Sequence, residues 1–222
     1  MSNNEPSVYS GKVLGFASVY NRTAQEAYDA LKLYRFGISS NALLGGILEE
    51  INYRYGSVRQ IFTQLGGDTL SLWTLWTHDG VKREFNEIKR LSPEDRLKID
   101  SVFEKASDRQ TMIDVGPGNF QVYTAIRLLE NYFERFGDED PLEVGRYKDD
   151  YVKLAADLND FYSPATVKFS ALMAQEALVW GQKNVSNWGT LSPLEREALV
   201  TTYYRVGQDR MNSYLAEPRA QG

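Results

Sequence analysis

The chain contains no cysteine and a single histidine, and these two shortages exclude several kinds of catalytic centre. Without cysteine there is no disulfide, no thiolate nucleophile and no zinc site with Cys ligands. A metal site with two histidines is excluded as well, and a Ser-His-Asp triad would have to use His78. The sequence around it, Trp-Thr-His-Asp-Gly, is typical of a helix that ends before a turn. We therefore expect His78 to be an ordinary residue at a helix C-terminus.

Basic charge and long apolar runs are also scarce. The 25 Lys and Arg residues against 30 Asp and Glu give a net charge of −5, and no basic stripe is present, so we expect no nucleic-acid partner. An acidic cell-wall polymer stays open as a partner, because a local cluster of charge can differ from the net charge. No apolar run approaches the ~20 residues of a membrane-spanning helix. The first residues lack the pattern of a secretory signal, so export would need another route.

The local signals along the chain are those of helices. Ser-Pro pairs at Ser92, Ser163 and Ser192 predict helix starts. No alternating strand pattern, repeat or linker is evident between them. The composition, with 42% hydrophobic and 25% charged residues, is ordinary for a globular protein. We predict a single all-α domain over residues 1–222, with about nine or ten helices and loosely ordered ends at 1–15 and 216–222.

Four further local signals give specific expectations. Residues 10–20 could form a short strand, and Thr23-Ala-Gln-Glu26 is a capping box that would open a helix. The pair Asp79-Gly80 predicts a turn before a helix over residues 81–91. Asp140-Pro141-Leu142-Glu143 predicts another helix start. Helices are also expected around residues 57–65 and 68–76.

The stretch from Ala42 to Asn52 predicts a helix with an apolar face and two adjacent carboxylates. At about 100° per residue, Glu49 points away from the apolar face and Glu50 lies at its edge. A carboxyl at the boundary between core and solvent is partly desolvated, which favours the protonated form that a general acid needs. A solvated flank charge explains the same pattern, so both interpretations stay open. The apolar face comprises Leu43, Leu44, Ile47, Leu48 and Ile51.

A second informative stretch runs from Asp114 to Ala125. Gly116-Pro117-Gly118 would let the backbone pass close to a ligand and expose N–H groups at a helix start. Asn119 and Gln121 could offer side-chain amides to a neutral polar substrate such as a sugar. Taken alone, Gly-Pro-Gly before a helix is more often an ordinary turn.

Taken in this order, the two stretches resemble the goose-type lysozyme and lytic-transglycosylase branch of the lysozyme-like superfamily. That branch has a helix that ends in apolar-apolar-x-Glu, which Ile47-Leu48-Glu49-Glu50 resembles. Its Gly-x-x-Gln loop is similar to residues 116–119, with Asn119 in place of Gln. The Thr-Ala pair that follows in the branch is matched by Thr124-Ala125.

A late motif of the same branch, Ala-Tyr-Asn-x-Gly, is similar to the stretch around Tyr204. Gly207 falls on its glycine, and Arg205 replaces its asparagine. The acid of the branch is usually followed by Ser, whereas Ile51 stands here, so the alignment leaves Glu49 and Glu50 both open as the acid. The helical-wheel argument favours Glu50.

The resemblance implies a lysozyme-like fold and cleavage of the β-1,4 MurNAc–GlcNAc bonds of peptidoglycan. Glu50 would protonate the leaving oxygen at an oxocarbenium-like transition state. Asp114 would orient a water, or the 6-hydroxyl of the sugar would close the product instead, so hydrolase and lytic transglycosylase both stay open. For Asp114 a backbone-bonded turn residue is the alternative role, and for Tyr204 a core tyrosine. The implied substrate contacts are Gly116, Gly118, Asn119, Gln121, Thr124 and Tyr204.

The chain is also reminiscent of the muramidase effectors of bacterial type VI secretion. That resemblance implies an antibacterial protein, secreted without a cleaved signal peptide, that acts in the periplasm or on the cell wall of a target bacterium. Secretion machinery and a cognate immunity protein would be its protein partners, and a phage lysin is the related alternative. We expect no cofactor. Calcium bound at residues 137–140 or at the Asp79 turn is a weaker alternative, since neither stretch has EF-hand spacing.

The rival function is a non-enzymatic helical protein-binding module of the adaptor or immunity type. The chain has 14 tyrosines, and tyrosine is common at the centres of protein interfaces. An enzyme needs Glu50 and residues 116–121 to face one groove, whereas a binding module needs a flat or convex aromatic patch.

Overall fold

Seven α-helices and one short β-hairpin make up most of the described structure, a computed structural model that covers residues 11–55, 77–95, 111, 114–160 and 162–216. For residues 11–14, 16, 52–55 and 216 it describes the backbone alone. The all-α class is confirmed, whereas the helices expected around residues 57–65 and 68–76 lie outside the described residues. The helices are α1 (Gly11–Ala30), α2 (Ala42–Tyr55), α3 (His78–Lys89), α4 (Val122–Phe136), α5 (Tyr151–Asn159), α6 (Ala165–Asn184) and α7 (Pro193–Ala216).

Short elements connect these helices. Strands β1 (Asp114–Val115) and β2 (Phe120–Gln121) pair antiparallel, with Asp114 opposite Gln121. Each strand has only two residues, which is too short to give the alternating pattern by which a strand is recognised in sequence. Three 3₁₀ helices span Leu33–Phe36, Gly145–Tyr147 and Trp188–Thr190.

Helix α6 lies at the centre of the packing and contacts α1, α2, α4, α5 and α7. Buried residues occur on every side of it, from Ala165 to Gly181, as expected of a helix that is surrounded by others. The buried apolar side chains from α1 through α7 form one contiguous cluster. Each Leu- or Phe-sized side chain buried there contributes about 1.5–3 kcal/mol to folding.

The three Ser-Pro helix starts are confirmed. At α7, the N–H of Ser192 donates to Glu195 Oε2 (2.7 Å) and the N–H of Glu195 donates to Ser192 Oγ (3.3 Å), a reciprocal capping box. At α6, the N–H of Ala165 donates to Ser163 Oγ (3.2 Å). Residues 93–95 are helical, and the N–H of Asp95 donates to Ser92 Oγ (3.1 Å).

The prediction for the N-terminal region is wrong. Residues 11–20 belong to a helix rather than a strand, and Thr23 lies inside α1 instead of at its start. Loose ordering was expected through residue 15, yet α1 begins at Gly11. The helical spacing of the buried side chains explains this outcome, because it continues upstream of the capping-box pattern and outweighs it. Those buried residues are Tyr20, Ala24, Ala27 and Leu31.

His78 and its neighbours begin a helix rather than end one. The Oγ1 of Thr77 accepts a hydrogen bond from the N–H of Gly80 (3.1 Å), so Asp79-Gly80 forms the first turn of α3. The Nδ1 of His78 accepts the N–H of Tyr151 (3.1 Å), and the two rings lie 4.5 Å apart. His78 therefore ties α3 to α5, and its predicted place at a helix C-terminus is wrong.

Asp140 closes a loop instead of opening a helix. Its carboxylate accepts hydrogen bonds from the N–H groups of Val144 (2.9 Å) and Gly145 (2.6 Å). Glu143 lies within this loop in the left-handed region, with φ 54°. The next helix, α5, starts later, where Asp150 caps it by accepting the N–H of Lys153 (2.8 Å).

Among the described residues, no helix is both long and apolar enough to cross a membrane.

Candidate functional site

A cavity of about 530 Å³ opens between α2, the β-hairpin, the first turns of α4 and the middle of α7. It brings Glu50 and the glycine-containing hairpin to the same side of the molecule, although a long segment of chain separates them in sequence. Most of the predicted site residues line it, while Glu49 and Gly116 do not. The predicted residues in the lining are Glu50, Asp114, Gly118, Asn119, Gln121, Thr124 and Tyr204.

The two adjacent carboxylates of α2 have different surroundings. Glu50 is partly buried at the cavity, whereas Glu49 is exposed and its Oε2 lies 4.0 Å from Arg205 Nη1. One residue is a rotation of about 100° on a helix, so only one of two neighbours can face the cavity. The core face of the same helix is set by Leu43 and Ile47, both fully buried.

The hairpin turn is fixed against the end of α5. Gly116 has φ 68°, and a Cβ there would lie only 1.8 Å from the carbonyl oxygen of Leu158. Its N–H donates to Asn159 Oδ1 (3.1 Å), and the N–H of Asn119 donates to the carbonyl of Gly116 (3.2 Å). These two N–H groups are thus used within the protein, contrary to the expectation that the loop presents its N–H groups to a ligand.

The side chains of the turn are better placed to meet a ligand than its backbone is. Asn119 has φ 52°, and its Oδ1 is buried without a hydrogen-bond partner among the described residues. A buried polar atom without a partner is unfavourable by about 1–3 kcal/mol, and a ligand N–H or O–H would supply the missing bond. Gln121 is the N-cap residue of α4, but its side chain makes no capping bond.

Tyr204 joins three of the elements around the cavity. Its hydroxyl donates to the carbonyl of Gly118 in the turn. Its ring lies against α2, where a Cβ on Gly46 would be 2.9 Å from the ring, and it packs edge-on to Phe120 at 5.3 Å. Tyr204 therefore positions the hairpin relative to α2 and α7.

Helix α7 is broken in the middle, at Gly207. This residue has φ 70° and ψ 172°, which is not helical. All of residues 203–210 line the cavity, which one face of a regular helix cannot achieve. Sequence reasoning had matched Tyr204 and Gly207 but missed the neighbouring lining residues. A glycine inside a helical pattern was the available signal. The missed residues of α7 are Tyr203, Val206, Gln208, Asp209 and Arg210.

A largely buried ion pair borders the cavity. Arg127, which lines the cavity, donates to Glu176 Oε1, and so does Asn131 Nδ2 (3.1 Å). Burial is the largest single influence on the pKa of Arg127 and lowers it, but the charge and hydrogen bond of Glu176, together with smaller contributions from Tyr203 and Tyr123, outweigh burial and the pKa is raised. Burial also raises the pKa of Tyr203 well above its ordinary value, so its hydroxyl stays protonated and donates to Gln208 Oε1 (3.3 Å).

The calcium alternative gains no support from the described residues. No group of three or more Asp, Glu or His side chains suited to a metal ion occurs among them. In the stretch 137–140, both carboxylate oxygens of Asp140 already accept backbone N–H groups. The alternative calcium site at Asp79 assumed a loop there, but Asp79 belongs to the first helical turn of α3.

The comparisons with known proteins return no relative. No family model, no curated protein and no solved structure matches the chain. The function must therefore be inferred from the cavity itself.

Proposed function

We propose that the protein cleaves the glycan strands of peptidoglycan, with Glu50 as the general acid. The observation that carries this proposal is that Glu50 and the Asn119–Gln121 part of the hairpin line one cavity. Its volume, about 530 Å³, lies in the range typical of small-molecule sites. A lysozyme-like fold, by resemblance, is part of the same proposal.

In this mechanism Glu50 donates its proton to the glycosidic oxygen as the C1–O bond breaks and positive charge develops on the sugar. Asp114 lies on β1 at the same cavity and is exposed to solvent. In a hydrolase it would orient the water that attacks C1. In a lytic transglycosylase the 6-hydroxyl of the same sugar would attack instead, and the product would contain one water less.

Neutral polar groups around the cavity would hold the N-acetylated sugars. Asn119 Oδ1 lacks a partner among the described residues and would accept from an acetamido N–H or a hydroxyl. Gln121 and Thr124 add an amide and a hydroxyl nearby. Gly207, where α7 departs from helical geometry, also lies in the cavity lining.

The decisive experiment compares two adjacent substitutions. Glu50→Gln should abolish the loss of turbidity of purified sacculi while the protein stays folded, because the amide has no proton of suitable acidity to donate. Glu49→Gln should keep most of the activity, since Glu49 faces solvent. Equal activity of wild type and Glu50→Gln would reject Glu50 as the acid. Mass spectrometry of the products would then separate the reducing sugar from the anhydro sugar.

The biological setting belongs to the same proposal. Activity on peptidoglycan would suit an antibacterial effector, delivered to the periplasm of a target cell without a cleaved signal peptide, or a phage lysin. Secretion machinery and a cognate immunity protein would be its partners. Co-expression toxicity in the periplasm that depends on Glu50 would support this setting.

The protein-binding alternative has less to support it. Of the tyrosines with described side chains, only Tyr34, Tyr162 and Tyr214 are exposed, and they lie on separate elements. Several others belong to the core, so the number of tyrosines does not by itself indicate an interface. The buried ones are Tyr20, Tyr123, Tyr132, Tyr147, Tyr151 and Tyr203.

A further inference from the structure

Helix α7 consists of two arms that meet at Gly207. The first arm is residues 193–206 and the second arm is residues 208–216. Gly207 itself has φ 70° and ψ 172°, while helical geometry holds on both sides of it. This backbone conformation is open to glycine and unfavourable for other residues. The direction of the second arm is therefore set by the backbone rotations of one residue, as at a hinge.

The first arm is anchored along its length. Near its start, the guanidinium of Arg196 donates to the carbonyls of Phe36 (2.7 Å) and Trp188 (3.3 Å). Near its end, Tyr203 is fully buried and the hydroxyl of Tyr204 bonds to the hairpin. Contacts at both ends fix this arm to the rest of the molecule.

The second arm is more lightly held. Among residues 208–215, whose side chains the structure describes, Met211 is the one buried side chain, and Tyr214 and Leu215 are each about half exposed. The Nε1 of Trp180 in α6 donates to Asn212 Oδ1 (2.8 Å), which joins this arm to the central helix. Segments with little buried apolar surface open at the lowest free energy, so the second arm should leave α6 more readily than the first.

Both arms contribute to the wall of the cavity. Residues 203–206 of the first arm and 208–210 of the second line it. A swing about Gly207 would therefore move one part of the wall and leave the other part in place.

We propose that the second arm is a movable wall of the cavity. It swings about Gly207 as a helical unit, and the hydrogen bond between Trp180 and Asn212 is the latch that holds it closed. In the open position the cavity admits a ligand longer than itself, such as a glycan strand. That use of the motion rests on the proposed function, whereas the motion itself does not.

Distances between pairs of spin labels test the motion directly. The chain has no cysteine, so labels can be attached to introduced cysteines without removing native ones. One pair joins Tyr214→Cys on the second arm to Arg135→Cys on α4, and the reference pair joins Thr202→Cys on the first arm to Arg135→Cys. All three positions are exposed. Pulsed electron resonance should give two distances for the Tyr214 pair and one narrow distance for the Thr202 pair.

Removing the latch should shift the balance between the two distances. Asn212→Ala should raise the ratio of open to closed protein about fivefold, as expected from the loss of one hydrogen bond. Alanine is a better helix former than asparagine, so a rise cannot come from weaker helicity of the arm. Asn187→Ala, at an exposed asparagine between α6 and α7, is the matched control and should leave the ratio unchanged.

Two results would overturn the proposal. One is a single narrow distance for the Tyr214 pair that Asn212→Ala does not change, because the arm would then be fixed. The other is loss of amide protection across residues 212–216 in hydrogen exchange of Asn212→Ala, because the arm would then unfold instead of swinging. None of these measurements needs a ligand, so a failure of the proposed function would leave their outcome unaffected.

Discussion

At the scale of single residues, Tyr204 and Glu50 illustrate what sequence can and cannot reveal. The wheel position of Glu50 followed from the spacing of buried residues in α2 alone, and the described structure agrees with it. Tyr204 was singled out by a motif, but its bond to the carbonyl of Gly118 depends on packing between α7 and the hairpin. No local pattern encodes a contact between residues so far apart in the chain.

Removing only the hydroxyl of Tyr204 tests its positioning role. Tyr204→Phe keeps the ring against Gly46 and Phe120 but removes the bond to the Gly118 carbonyl, which should lower stability by about 1 kcal/mol. For a chain of this size that corresponds to a fall in Tm of about 2–4 °C, measured by circular dichroism. Cleavage of sacculi should fall as well, because the turn that carries Asn119 loses its tether. Tyr214→Phe, at an exposed position, should change neither quantity.

Gly116 gives a second prediction at this scale. Gly116→Ala should lower the free energy of unfolding by about 3 kcal/mol or more, because its Cβ would meet the Leu158 carbonyl and its φ of 68° disfavours any side chain. Urea unfolding measures this directly. Gly189→Ala is the matched control: its Cβ would meet nothing within 4 Å, and the expected change is within about 0.5 kcal/mol. Similar values for the two variants would show that the turn is not fixed as described.

At the scale of elements, sequence predicted helices where capping and periodicity agreed and failed where they conflicted. The Ser-Pro starts succeeded because the cap is made within a few residues of the helix itself. The predicted start of α1 was wrong because the Thr-x-x-Glu pattern inside the helix resembles an N-terminal cap, while the helix and its buried face extend upstream of it to include Tyr20. The helix start predicted at Asp140 was wrong for another reason. The carboxylate of Asp140 closes a loop by accepting the N–H of Gly145, five residues later, and the same sequence is as compatible with such a loop as with a helix start.

The break in α7 can be tested with a substitution at Gly207 that favours regular helical geometry. Gly207→Ala places a side chain at φ 70° and ψ 172°, a region that is essentially restricted to glycine and costs about 1–3 kcal/mol for other residues. The variant should lose stability in urea unfolding and lose activity, since a change of backbone at Gly207 would move the cavity-lining residues on both sides of the break. Gly45→Ala is the control: this helical glycine has open space around it, and alanine should stabilise it by up to about 1 kcal/mol. An active, fully stable Gly207→Ala protein would contradict the geometry.

At the scale of the whole molecule, α6 is the element that the others surround, and the Arg127–Glu176 pair links it to α4 beside the cavity. The side chains of this pair are 20% and 15% exposed. Sequence predicted the all-α class and one core, because the apolar periodicity of each helix is local. It could not predict the pair, since a buried charge is recognised only once its partner across the core is known.

A double-mutant cycle tests that pair. Arg127→Met should cost about 3 kcal/mol in urea unfolding, because it leaves the carboxylate of Glu176 buried without its cation. Combining it with Glu176→Met should restore much of the loss, since two apolar side chains can replace a buried ion pair. Additive losses in the double variant would mean that the two side chains act independently and that the pair does not link the helices.

The position of α7 has a consequence for the synthesis of the chain. Residues 203–210 complete the cavity, and α7 packs against α6, so a nascent chain that stops before them has no finished site. Whatever the cavity does to its substrate, it can begin only after α7 has left the ribosome and docked. A premature stop in that helix would yield an inert product with the apolar side of α6 uncovered, and such a product is a ready target for cellular proteases.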